Sequence, residues 1–163
     1  PGRLETIDCG QKYTVVVDHA HTHESLEKLL ALYRKLTKGK LYVVFGATGG
    51  GRDKAKRPKM GAIADKYADY VIVTDDDPYE EKEWRIIEEV AAGINRREGE
   101  RFWKIPHRYE AIKLALSLAE ENDVVVIAGK GCEEIQMIGD KKVPWDDRKV
   151  VREIFSTAVR VEL

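Results

Sequence analysis

The sequence predicts an α/β fold: a doubly wound, Rossmann-like, mostly parallel sheet of about six strands with helices on both faces. Three observations predict it. Short apolar runs such as Leu41–Phe45 and Val124–Ala128 are of the buried type that parallel strands require. Segments of helical periodicity alternate with these runs almost throughout. Finally, apolar runs repeatedly end in polar, glycine-bearing or carboxylate-rich segments, and in an open parallel sheet the ligand crevice lies outside the carboxyl ends of the strands.

Each element follows in order. Leu4–Asp8 and Tyr13–Asp18 flank Cys9-Gly10-Gln11-Lys12 and read as an antiparallel hairpin entering the sheet. Thr22 suits the N-cap of a helix running to Leu36, with Leu26, Leu29, Leu30, Tyr33 and Leu36 on one face. Lys38-Gly39 ends it, and Leu41–Phe45 is the next strand. Lys59–Tyr67 is a helix with Pro58 near its start, followed by a strand at Val71–Thr74 and a helix at Glu83–Ile94. Phe102–Ile105 is a short strand, Glu110–Ala119 a helix and Val124–Ala128 a strand. Ile135–Ile138 and Lys141–Val143 bracket Gly139-Asp140, a hairpin signal, and Asp147–Val159 is the last helix.

Length and composition narrow the field. The 163 residues form one expected domain, 1–163, large enough for a single buried core. With 43% hydrophobic and 35% charged residues the chain is of globular type. A net charge of -1 gives no bulk attraction to nucleic acid or to anionic membrane. No apolar run approaches the roughly 20 residues of a membrane span, and no signal-peptide pattern opens the chain. Cys9 and Cys132 lie in unrelated contexts, which suits a reduced, cytoplasmic setting. The chain opens at Pro1-Gly2-Arg3 without an initiator Met, the expectation for a domain of a longer protein.

Four segments at strand ends carry the chemistry. Gly46–Asp53 contains Gly49-Gly50-Gly51, whose backbone can approach a ligand closely and form an anion-binding nest. Arg52, Lys54, Lys56, Arg57 and Lys59 crowd the same stretch, so the functional reading is a phosphate or carboxylate ligand. The structural reading is a turn followed by a solvated basic helix start. This is neither a GxxxxGK[ST] phosphate loop nor a GxGxxG dinucleotide fingerprint. Asp75-Asp76-Asp77-Pro78 sets three carboxylates at a strand end, suited to an ammonium group, to Mg²⁺ with waters, or to capping the next helix. Asp18, His21 and Thr22 can meet ribose hydroxyls or an adenine edge, or can be a helix cap with exposed loop histidines. A zinc site at His19, His21 and His23 fails, because the last of them begins a helix. Gly129-Lys130-Gly131-Cys132-Glu133 joins backbone freedom to a carboxylate. Cys132 has no activating His beside it and is expected as a small half-buried residue rather than a nucleophile.

The order and spacing of these motifs resemble the C-terminal domain of the Mur ligases, most closely the MurE-type UDP-N-acetylmuramoyl-tripeptide synthetases. The resemblance rests on Pro1-Gly2-Arg3, Val17–Thr22, Phe45-Gly46 with Arg52-Asp53-Lys54, Lys56-Arg57-Pro58, Met60-Gly61, Asp76-Asp77-Pro78, Ala128–Glu133 and Asp146-Asp147-Arg148. It covers essentially the whole chain, and it implies a three-domain parent: a UDP-substrate domain, a central ATPase domain bearing the phosphate loop, and this amino-acid-binding domain. ATP and Mg²⁺ are then bound mainly by the central domain. ATP phosphorylates the carboxylate of UDP-N-acetylmuramoyl-dipeptide, and the amine of the incoming amino acid attacks the acyl phosphate. The implied site has Arg3, Asp18 and His21 on the ATP side. Arg52 meets the carboxylate of the incoming amino acid, Asp77 and Tyr79 its far end, and Gly129 and Glu133 its other polar groups. No acid or base catalyst and no metal ligand is implied. The isolated domain is expected to be inactive.

Departures from the family pattern carry an expectation of their own. Diaminopimelate-adding members usually have Asp-Asn-Pro-Arg where this chain has Asp76-Asp77-Pro78-Tyr79. The missing arginine removes a bidentate clamp for a distal carboxylate, and Asp77 adds a charge that suits an ammonium. Lysine or another diamine is therefore expected over diaminopimelate. His19 and His23 replace the common Tyr and Pro of the DYAHT motif and the residue after it, and Cys132 replaces the His of GKGHE. The alternative to a ligase domain is a stand-alone Rossmann-like nucleotide or amino-acid binding module. A nicotinamide oxidoreductase is disfavoured by the missing fingerprint.

Overall fold

The computed structural model describes residues 1–51 and 53–161. Strands β1 (Glu5–Thr6) and β2 (Thr14–Asp18) form the antiparallel entry. Helix α1 (His23–Leu36) leads to β3 (Leu41–Phe45), α2 (Lys56–Tyr67) to β4 (Tyr70–Val73), and α3 (Glu83–Ala91) to β5 (Phe102–Lys104). Helix α4 (Arg108–Leu118) leads to β6 (Val124–Ala128), then come β7 (Ile135–Ile138), β8 (Lys141–Pro144) and α5 (Asp147–Val161).

The main sheet has six strands in the order β1-β2-β6-β3-β4-β5, with every pair except β1–β2 parallel. Strand β6 enters between β2 and β3, so the loops that follow β2, β3 and β6 meet at one edge, with the loop after β4 beside them. Strands β7 and β8 form a separate antiparallel hairpin.

Alternation of side chains builds two cores. Val16, Val43, Phe45, Val71, Val73 and Val126 pack beneath α1, α2 and α3, through residues such as Leu26, Leu30, Met60, Ile87 and Val90. Their neighbours Val15, Val17, Val44, Ile72, Val125 and Ile127 pack beneath α4 and α5, through Ile112, Leu116 and Val151. Both faces are covered, which explains why β3 and β6 are buried at all five positions. Helices α2 and α3 approach closely where Gly61 faces the Val90 carbonyl; a Cβ there would overlap that oxygen.

Local signals act as the sequence suggests. Thr22 caps α1, its side chain accepting from Ser25 N while Ser25 Oγ accepts from Thr22 N, a reciprocal capping box. Several boundaries differ from expectation: α3 stops at Ala91 rather than Ile94, α4 begins at Arg108 rather than Glu110, and two more have a visible local cause. Helix α2 starts at Lys56, three residues early, because Asp53 Oδ1 accepts the Ala55 N–H at 2.9 Å and closes a turn ahead of it. Pro58 then sits in the first turn, where a missing N–H costs nothing. Strand β1 contracts to Glu5–Thr6, since Asp8 and Gln11 side chains take the Gly10 and Cys9 N–H groups into the turn. Among the described residues no helix is long and apolar enough to cross a membrane.

Candidate functional site: a carboxylate-lined cleft at the strand ends

The loops following β2, β3, β4 and β6 enclose a cleft of about 200 Å³ at the carboxyl edge of the sheet. It gathers His21, Asp77, Tyr79, Gly129 and Glu133 of the expected site, and adds His19, Thr48 and Asp76. Larger hollows, about 500 and 460 Å³, lie along α4 and α5, away from the strand ends. Arg52 lies outside the described residues.

The cleft is organised around Lys130, which sequence reasoning did not single out. Its side chain is wholly buried, and Nζ donates to Asp77 Oδ1 at 2.7 Å and Glu133 Oε2 at 3.1 Å, with Asp76 Oδ1 at 3.5 Å. Burial alone would favour loss of its proton. The Asp76 charge and the Asp77 hydrogen bond outweigh burial and raise its pKa, so it stays an ammonium. Asp76 is itself buried, and its carboxyl is pushed up by that burial against the opposing pull of Lys130 and Arg108. Asp77 Oδ1 also accepts the Met137 N–H at 2.8 Å, tying β7 to the cleft wall.

Two backbone features set the wall. Gly129 has φ +118°, and a Cβ there would run into Asp76 Oδ2. Tyr79 holds φ +52°, uncommon for a bulky residue, and is fastened on both sides by the hairpin. Its N–H donates to Met137 O at 3.2 Å and its carbonyl accepts from Gly139 N at 2.8 Å.

The glycine-rich loop is held by protein groups. Gly49 N donates to Asp77 O at 2.7 Å. Arg57, read in the sequence as part of a ligand-facing basic cluster, is fully buried instead. It makes a bidentate pair with Glu81 at 3.0 and 3.1 Å, reaches Glu89 at 2.8 Å, and donates to Thr48 O at 3.1 Å. Glu81 is held down to about 2, first by the Arg57 hydrogen bond, with the Gly51 backbone contributing. An internal carboxylate thus takes part of the anion-binding capacity that the sequence offered to a ligand. Lys54 also lies 3.8 Å from Glu81.

Comparison with known proteins fixes the family. The model of the family described as Mur ligase, glutamate ligase domain, matches residues 2–131. The chain belongs to this family. Among its relatives, a protein of Syntrophomonas wolfei named UDP-N-acetylmuramoyl-L-alanyl-D-glutamate--2,6-diaminopimelate ligase is 47% identical over 98% of the chain. A Roseiflexus protein named UDP-N-acetylmuramyl-tripeptide synthetase is 46% identical over 93% of it. A solved structure of a UDP-N-acetylmuramoyl-L-alanyl-D-glutamate--2,6-diaminopimelate ligase superposes with a TM-score of 0.88 at 37% identity, over 98% of the chain. The chain spans about a third of the length of each, 32%, 30% and 32% respectively.

In this Mur ligase domain the residues expected on the ATP side separate. His21 lines the cleft, with Nδ1 2.9 Å from His19 O and its ring 4.7 Å from that of His19. Asp18 is not a cleft-lining residue: its two oxygens accept Leu4 N and Ala20 N, both at 2.8 Å, and fasten the N-terminal segment to β2. Arg3, on that segment, is exposed.

Two further expectations are corrected. None of Asp75, Asp76 and Asp77 caps α3, whose N-cap is Lys82 without a side-chain bond; the turn at Pro78–Glu81 carries the chain past them. Cys132 is exposed rather than half-buried, while the backbone of Gly2 packs against the backbone of the loop there. Among the described residues no group of three or more His, Cys, Asp or Glu is placed to hold a metal ion.

Proposed function

We propose that this chain is the C-terminal, amino-acid-binding part of a cytoplasmic, ATP-dependent ligase that adds the third amino acid to UDP-N-acetylmuramoyl-dipeptide in peptidoglycan synthesis. The observation that carries the reading is the cleft itself: Asp77, Tyr79, Gly129 and Glu133 converge at the strand ends in a domain whose relatives bear the names of such ligases. The central and N-terminal domains of the parent supply the phosphate loop, the Mg²⁺ and most of the ATP contacts. Arg3, exposed on the N-terminal segment that Asp18 fastens to the end of β2, and His21, which lines the cleft, serve the ATP side of the interdomain cleft.

The chemistry asked of this domain is placement. ATP activates the dipeptide carboxylate as an acyl phosphate, and an amine must then meet it in near-attack geometry with water excluded. Asp77 and Glu133 hold the far end of the amino acid, Arg52 its α-carboxylate, and the polar backbone at Gly129 a remaining group. Closure of the domain over the central one brings the α-amine to the reacting carbon. None of these groups needs to move a proton.

The amino acid is a diamine of the lysine type. Three carboxylates surround one lysine in the cleft wall, an acidic surplus suited to a distal ammonium, and Tyr79 offers no guanidinium to a distal carboxylate. The second reading, diaminopimelate, is favoured by the name of the Syntrophomonas wolfei relative. ADP release by the parent enzyme, with UDP-N-acetylmuramoyl-dipeptide and a panel of amino acids, tests both. Lysine turnover at tenfold or more above diaminopimelate supports the first, and the reverse ratio supports the second. No turnover with any amino acid from folded enzyme points to a binding module.

A further inference from the structure

Lys130 stands out as a fully buried cation placed among three carboxylates contributed by segments far apart in the chain. It is flanked by Gly129 and Gly131, both with positive φ, so the backbone is bent to drive this side chain inward. A buried ammonium is costly unless fully paired, and hydrophobic packing of the same volume is often at least as stable. The position therefore asks for an explanation beyond packing.

The hydrogen bonds supply it. Two of the three cleft carboxylates each accept a hydrogen bond from Lys130 with one oxygen, Asp77 Oδ1 at 2.7 Å and Glu133 Oε2 at 3.1 Å, while Asp76 Oδ1 stands off at 3.5 Å. Asp77 Oδ2 and Glu133 Oε1 have no hydrogen-bond partner among the described residues, and His19 Nδ1 stands 3.6 Å from Glu133 Oε1. Both residues line the cleft. Asp77 is pinned a second time by Met137 N, which fixes the rotation of its carboxylate. Two side chains from loops after β4 and β6 are thereby set relative to each other by a single ammonium, and their charges are kept together despite mutual repulsion.

We infer that Lys130 is a positioning residue for the distal ammonium of the incoming amino acid: it presets Asp77 and Glu133 as a two-carboxylate receptor. This rests on the ligase reading above. The receptor is assembled before the ligand arrives, so the ligand's ammonium does not have to order it, which is the advantage of preorganisation. His19, His21, Asp76 and Tyr79 also border the receptor, and Arg108 lies behind Asp76. Among the described residues only Lys130 bonds both carboxylates.

The test uses the parent ligase and two pairs of amino acids that differ in the distal amine: lysine against norleucine, and diaminopimelate against 2-aminopimelate. For wild type, kcat/KM should favour the amine-bearing member of the accepted pair. Lys130→Met should lower that preference by about tenfold or more, the scale of one charged hydrogen bond, while the KM for ATP and the turnover of the amine-free analogue stay within about twofold. A merely structural role would depress all substrates together. If circular dichroism shows Lys130→Met unfolded, Lys130→Arg decides, since it keeps the charge but replaces the compact ammonium between the two oxygens with a larger planar fork. If neither folds, Asp77→Asn and Glu133→Gln decide by their coupling, because effects transmitted through one ammonium are non-additive. An unchanged preference in a folded Lys130 variant, or additive Asp77 and Glu133 effects, overturns the inference and leaves the ligase reading intact. Wild-type enzyme that turns over without any preference for the distal amine does the same. Wild-type enzyme inactive with every amino acid overturns both.

Discussion

Arg108 forms a buried two-pronged pair with Asp147, Nε to Oδ1 and Nη2 to Oδ2 both at 2.8 Å. The same guanidinium donates to Asp75 O at 2.9 Å and to Ala128 O at 3.1 Å. One side chain on α4 thus ties the end of β4, the end of β6 and the start of α5. Trp145 Nε1 adds a 2.7 Å bond to Asp147 Oδ1. Burial alone would favour the neutral guanidine, but the Asp147 charge and hydrogen bonds outweigh it and raise the Arg108 pKa further. The floor of the cleft is fixed by this pair.

Removing one partner of such a pair strands a buried charge. Arg108→Met should lower the free energy of unfolding by about 3–5 kcal/mol. Arg108→Met with Asp147→Leu should recover most of the loss, because neither charge is then left buried alone. Urea unfolding of the three proteins reads this directly, and equal stability of the single and double variants would contradict it.

Arg57 does for the glycine loop what Arg108 does for the floor. It is fully buried, its Nε has no hydrogen-bond partner among the described residues, and its other nitrogens hold Glu81, Glu89 and Thr48 O. Arg57→Met should cost about 3 kcal/mol, the low end for a broken buried pair because both glutamates are partly exposed. The pH dependence has a definite sign. Glu81 is depressed from 4.5 to about 2 in the folded chain, so its contribution is present above 4.5 and is lost as pH falls towards 2. The gap between wild type and variant should therefore narrow on acidification across that window. A gap that stays constant from pH 6 to pH 3 would refute the assignment.

The paired cations also show where sequence reading stops. The strands were legible, since Leu41–Phe45 and Val124–Ala128 are apolar at every position and are buried at every position. The cleft was legible in outline, because loops at the carboxyl ends of parallel strands must face one another, and five expected residues meet there. Lys130 was not. A lysine between glycines reads as solvated, and its partner Asp77 lies 53 positions away, so only the folded chain brings the charge and its counter-charges together. Arg57 failed for the same reason: it reads as a solvated basic residue at a helix start, and it is buried against acids from other elements. The glycines flanking Lys130 are the one signal available beforehand, since paired positive-φ positions can turn a long side chain inward.

Asp75 offers a prediction of opposite sign to that of Glu81. Its carboxyl borders a cavity of about 370 Å³ beneath the β7–β8 hairpin, with Glu83, His107 and Arg108 around it. Burial pushes it from 3.8 to about 7, Glu83 and Asp76 add to the shift, and Arg108 opposes it. The folded chain therefore binds this proton more tightly than the unfolded chain does, and stability falls as pH rises from about 4 to about 7. Asp75→Asn should raise the thermal midpoint at pH 8 and change it little at pH 4.5. A lower midpoint at pH 8, or the same shift at both pH values, would rule this out.

The last prediction concerns position 79. Tyr79 already occupies left-handed backbone, held by Met137 O and Gly139 N, so another non-glycine residue incurs the same conformational cost. Its ring lies against Gly50, outside the Lys130 network. In the proposed parent ligase Tyr79→Arg should therefore fold with stability within about 1 kcal/mol of wild type, the size usual for a substitution away from the core. A guanidinium at this point would add a bidentate partner for a distal carboxylate, and would sit unfavourably beside the ammonium of lysine. The ratio of kcat/KM for diaminopimelate over lysine should rise by about tenfold or more, one charge-assisted pair gained. The change should appear mainly in KM, because on the proposed reading the far end of the amino acid is bound alike before and during attack on the acyl phosphate. A Tyr79→Arg enzyme with unaltered selectivity would mean that the far end of the substrate does not lie at Asp77 and Tyr79, and the amino-acid pocket would have to be sought elsewhere along the strand ends.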